Sequence, residues 1–148
     1  MIMILLFALV LLAGAAVTMQ AGVNLQLREG LGNPFQAGLI SFAVGALTMA
    51  VVTLPQEGLR WDSATLTRMP WWVWTGGVFG AYLVTVSVLL APRLGSSTLM
   101  GLLLTGQMIT ALTLDHYGLL GFPVQRLSAP RVIGVLLLMA GVFLIRKY

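Results

Sequence analysis

Among the polar side chains inside the apolar stretches, five are candidates for a site: Gln20, Asn24, Tyr82, Ser87 and Gln107. None is a permanent charge, so the chemistry they offer is recognition through hydrogen bonds. A polar group in hydrocarbon costs several kcal/mol unless it finds a partner, so each must face protein, water or a ligand. Gln20 and Asn24 share one helical face with Ala13 and Ala16, at steps of three and four residues. The two amides either line a substrate cavity or hydrogen-bond to neighbouring helices, where such a bond is worth about 1 kcal/mol. Tyr82 and Ser87 follow Gly76, Gly77 and Gly80. Gly76 and Gly80 form a small-xxx-small pair suited to close helix packing, and Tyr82 and Ser87 either pack in the core or face a cavity. Gln107, one turn from Thr110, is the single residue most suited to a substrate site, the alternative being a structural hydrogen bond within the protein.

No carboxylate falls in the middle of an apolar stretch. Glu29, Glu57 and Asp62 read as loop residues and Asp115 closes the fourth stretch. Intramembrane acids are the usual mark of proton coupling, so the pattern argues against a simple carboxylate-driven cation antiporter. Asp115 and His116 form the one acidic–imidazole pair. They serve either as a proton relay or as a polar stop to a helix at the water interface. A lipid-modifying enzyme would need a nucleophile, an acid–base pair or a metal site, which that pair alone could supply, and no enzymatic activity is expected. With no cysteine, one histidine and four carboxylates, neither disulfides nor a metal nor any other cofactor is expected.

The elements that must position these groups follow from composition. The chain is 59% hydrophobic and 8% charged, where a soluble domain carries about 25% charged residues. The reading is an all-α membrane protein in the bacterial inner membrane, with one transmembrane domain over residues 1–148. Five spans are predicted at about 2–24, 34–54, 71–91, 96–114 and 131–146. The start of the first resembles a signal peptide, with Ala13, Gly14, Ala15 and Ala16 as small residues, but lacks a basic n-region and continues apolar, so it reads as a span. Pro34 suits the first turn of the second. Pro70, Trp71, Trp72 and Trp74 place an aromatic belt at the third. Pro92, Arg93, Leu94 and Gly95 read as a tight turn before the fourth. The fifth, apolar from Val132 to Ile145, is short for a hydrocarbon core of about 30 Å, and Arg131 and Arg146 are placed to snorkel. The net charge of +4 is scattered singly at span ends, which suits lipid headgroups and excludes a nucleic-acid surface.

Those cations divide evenly. Arg60, Arg68, Arg126 and Arg131 fall on one side of the implied membrane; Arg28, Arg93, Arg146 and Lys147 fall on the other. Orientation is normally set by an excess of Lys and Arg in cytoplasmic loops. Without one, insertion in both orientations is expected, and inverted copies can pair around a midplane site, as inverted repeats do in many transporters.

Several segments together resemble the YdcZ-like family of the drug/metabolite transporter superfamily: QAGVNLQLR (Gln20–Arg28), GGVFGAYLVTVSVLLAPRLG (Gly76–Gly95) and GQMITALTLDHYGLLG (Gly106–Gly121). The last helix, IGVLLLMAGVFLI (Ile133–Ile145), is also similar to that of the small multidrug resistance proteins. There Gly134, Leu138, Gly141 and Ile145 would form the dimer contact. The resemblance covers essentially the whole chain and implies a five-helix half-transporter that works as an antiparallel homodimer, an inverted pair of relatives or a fusion. The even charge split points to the homodimer. One departure matters: the first helix of the multidrug relatives carries a buried glutamate, and here Gln20 is the nearest polar residue, so neither a cationic substrate nor proton antiport carries over.

The expected function is transport, with export as the expected direction, of a small organic metabolite by alternating access. Gln20 and Gln107 from both copies are expected to meet near the midplane, with Asn24, Tyr82 and Ser87 as further contacts. The partners are the small-molecule substrate, the lipid bilayer and a second copy. The alternative is a structural or partner subunit of a heterodimeric complex with no transport of its own.

Overall fold

A computed structural model describes residues 2–55 and 63–148. Of the described residues 88% are helical and none lies in a strand. The helices are α1 (Ile2–Leu31), α2 (Pro34–Thr53), α3 (Ser63–Arg68), α4 (Gly76–Leu94), α5 (Ser96–Tyr117) and α6 (Ala129–Lys147). A 3-10 turn at Trp71–Thr75 leads into α4. All but α3 are long and apolar enough to cross a membrane. Glu57, Arg60 and Asp62 lie outside the described residues.

Backbone chemistry sets the helix ends. Asn33 caps α2, its side-chain oxygen accepting from the N–H groups of Phe35 and Gln36, with Pro34 following in the first turn. α1 continues seven residues past its apolar run, to Leu31, and stops where Gly32 takes a φ of +69°. α4 runs through Pro92 to Leu94, so the segment read as a turn is helical and the break falls on Gly95, at φ +75°. α6 takes in both Arg131 and Arg146 and reaches 19 residues, about 28 Å at 1.5 Å per residue.

The chain forms two compact units, Met1–Pro92 and Arg93–Tyr148. In the first, Ala37, Val84 and Val88 are buried together, with Leu27 of α1 packed on them. The small faces of α2 and α4 admit this packing. A Cβ on Gly38 would stand 3.7 Å from Val84, and one on Gly80 would stand 3.2 Å from the Phe42 ring. Pro92 has no N–H, so the carbonyl of Val88 loses the helix bond it would otherwise accept. The Arg28 guanidinium of α1 donates to that oxygen at 3.0 Å. A neighbouring helix thus satisfies the backbone group that a proline frees, as a spanning helix requires.

In the second unit α5 packs on α6 through Leu99, Val135 and Val142. Gly101 makes the approach possible: a Cβ there would lie 2.6 Å from Val142. The α5–α6 connection folds back on the end of α5. Gly118 closes the helix in the left-handed conformation, at φ +62°, and a Cβ there would also meet Val124 at 2.6 Å. The Gln125 N–H donates to the Asp115 carbonyl at 2.8 Å, and the Leu127 N–H donates to His116 Nδ1 at 3.1 Å.

Candidate substrate groove

Along α1, Gln20, Asn24 and Arg28 follow one another at steps of four, so they form a stripe that drifts only about 40° per step. Each meets a different environment. Gln20 lines a groove of about 490 Å³ in the first unit, walled by Ser41, Phe42, Gly45, Ala46, Thr48 and Met49 of α2. The Thr48 hydroxyl is committed to the Val44 carbonyl at 2.8 Å. The groove therefore pairs one amide and a serine hydroxyl with an apolar wall, which is the make-up of a small-molecule site. Phe42 is held in place against Gly80.

Asn24 is 3% exposed, and no side-chain hydrogen bond joins it to another described residue. Arg28, half-buried, holds the Val88 carbonyl. Ser87 is buried and donates to Leu83 of its own helix at 2.8 Å. Tyr82 is 71% exposed. Five residues separate Tyr82 from Ser87, about 140° around a helix, so they serve different faces of α4. Gln107 is exposed on α5, in the second unit.

The second unit has a groove of its own, about 570 Å³, between α5 and α6. Leu104, Met108, Gly134 and Leu138 line its apolar length, and Asp115 and Arg131 stand at one end, 3.7 Å apart. Arg131 also donates to the backbone oxygen and to the side-chain oxygen of Gln125. Asp115 and His116 are thus both engaged in holding the α5–α6 connection. On α6, a Cβ added at Gly134 or Gly141 would meet nothing within 4 Å, and Ile145 is 55% exposed. Among the described residues no group of acidic, histidine or cysteine side chains could hold a metal ion.

The sequence reading singled out Gln20 but missed Ser41 and Thr48. With Gly45 they stand at i, i+4 and i+7 on α2, a spacing that could have revealed them as one face. It also missed the role of Arg28, for which Pro92, four residues after Val88, was the available signal.

Five helices long and apolar enough to cross a membrane, joined by short connections, make this a multi-pass membrane protein. The family described as "Putative inner membrane exporter, YdcZ" matches residues 5–144, and the chain belongs to it. No curated protein and no solved structure matches the chain.

Proposed function

We propose that the protein exports a small organic metabolite by alternating access, as an antiparallel homodimer of one chain inserted in both orientations. The observation that carries this reading is the groove at Gln20, where an amide and the Ser41 hydroxyl interrupt an otherwise apolar packing of α1 on α2. Gln20, Asn24 and Gln107 supply amides to the substrate, with either Tyr82 or Ser87, which serve different faces of α4, as a further contact. Each chain is one half of the transporter. The even division of cations, four to each side, removes the bias that would otherwise fix one orientation. The stripe Gly134, Leu138, Gly141 and Ile145 is the dimer contact, and the open space over both glycines leaves room for an approaching helix. In an inverted homodimer the inward and outward states are equivalent by symmetry, so neither is favoured before substrate binds.

The orientation of the C-terminus tests the dimer. The chain has no native cysteine, so Tyr148→Cys can be labelled in intact cells with a membrane-impermeant maleimide and again after permeabilisation. Labelling of about half the protein before permeabilisation is expected from equal insertion. Labelling of nearly all or nearly none rejects the homodimer and turns the search to an oppositely oriented partner chain. Normal transport by Gln107→Leu would remove that residue from the site.

A further inference from the structure

We infer that the substrate is an organic anion, a carboxylate with a compact apolar body, whose charged end is held by Asn24 and Arg28. The inference deepens the exporter reading and rests on it for the word substrate; the binding site itself does not depend on transport.

Charge is the first ground. Arg28 reaches from α1 to α4, where its Nη1 donates to the Val88 carbonyl. A guanidinium has five N–H donors, so the carbonyl leaves most of them available. No ion pair ties Arg28 to a described carboxylate. Glu29 is exposed, about 100° further round the helix, and Asp115 pairs with Arg131 in the other unit. Among the described residues the positive charge is thus partnered by a dipole and by no carboxylate.

Asn24 is the second ground. It lies one turn before Arg28 on the same stripe, 3% exposed, and makes no side-chain hydrogen bond to a described residue. Among the described residues no fully buried side-chain polar atom lacks a partner, so the unbonded Asn24 amide keeps a small opening through which a ligand can accept from it. An amide donor beside a guanidinium recognises an acceptor bearing negative charge, and carboxylate geometry matches the guanidinium fork. An ammonium would instead meet the Arg28 charge in a partly buried setting, where repulsion is little screened.

The groove sets the remainder of the ligand. It begins one turn back along the stripe, at Gln20, and its walls are Phe42, Gly45, Ala46 and Met49. From Gln20 to Asn24 the stripe rises about 6 Å, the length of an aromatic ring with a short acid side chain. The carboxylate then sits at the Asn24–Arg28 end and the ring lies against Phe42.

A matched series isolates the charge. Purified protein is titrated with phenylacetate, phenethylammonium and phenethyl alcohol, which share one apolar body, and binding is read by calorimetry and by the shift in Tm. Phenylacetate alone is expected to bind. Asn24→Asp is nearly isosteric and hands Arg28 an internal carboxylate; it is expected to weaken phenylacetate at least about tenfold, the factor that loss of one charge-assisted hydrogen bond implies. Arg28→Lys keeps the charge and is expected to retain binding, whereas Arg28→Gln is expected to lose it. Equal or stronger binding of the ammonium or the alcohol, binding of none of the three, or phenylacetate affinity unchanged in both Asn24→Asp and Arg28→Gln overturns the inference. Phenylacetate binding without flux of the anion in proteoliposomes supports the anion site and rejects the exporter reading instead.

Discussion

The guanidinium of Arg28 stands where a peptide N–H is missing, and that substitution can be measured. In the native chain Arg28→Met leaves the Val88 carbonyl without its donor, a loss of about 1.5–3 kcal/mol for a hydrogen bond to a charged group. Pro92→Ala restores an N–H to the same carbonyl, so Arg28→Met is expected to cost far less in that background. Thermal unfolding of the four proteins in one detergent gives the coupling, expected at about 1 kcal/mol or more for groups sharing a partner. A coupling near zero would show that the contact contributes nothing. At the α2 cap, Asn33→Ala removes the acceptor for two backbone N–H groups and is expected to destabilise by about 1 kcal/mol in the same assay. At this scale the sequence disclosed what each residue could bond with but not which partner it had. Gln20 stood out as an amide in an apolar run. Asn24 stood out equally, yet its burial comes from tertiary packing that its own helix pattern does not disclose. The partner of Arg28 is a backbone oxygen, which no side-chain pattern announces.

Helices were the most legible part of the chain, because an apolar run long enough to span a bilayer dominates everything around it. Their ends were less so, since hydropathy says where lipid stops and backbone geometry says where the helix stops. α1 passes its apolar limit by two turns and yields only to Gly32; α4 absorbs Pro92 because Arg28 takes the freed carbonyl. The glycines separate in the same way. Gly101 and Gly141 look alike in sequence, but a Cβ at the first would meet Val142 at 2.6 Å and at the second nothing. Gly101→Ala is therefore expected to lower the Tm, with Val142→Ala restoring much of the loss. Gly141→Leu is expected to leave the fold of the single chain intact, by circular dichroism, while reducing cross-linked dimer. If Gly141→Leu dimerises as well as the native chain, the contact lies on another face.

For the whole molecule the deciding quantity is how little separates the two orientations. Four cations on each side leave insertion open to a change of one charge. Ser97→Lys adds a fifth to the side of Arg28, Arg93, Arg146 and Lys147, the side that also carries the C-terminus. It is expected to bring that side to the cytoplasm, so that Tyr148→Cys labelling in intact cells falls from about half to nearly none. Unchanged labelling would mean that charge does not govern insertion here. The balance was legible from the sequence alone, because it depends on which residues lie between spans and not on how the spans pack.

The length of α1 bears on the bilayer itself. Its 30 residues extend about 45 Å against a hydrocarbon layer of about 30 Å. A free helix would absorb that excess by leaning over. α1 is pinned to α4 through Arg28 near its far end, so it cannot lean without carrying its neighbour. The last two turns stand instead among the headgroups, and mismatch with a thicker or thinner membrane is met by deformation of the lipid around the protein. Lipid chain length then becomes a variable that acts on the Asn24–Arg28 end of the molecule without touching a single residue.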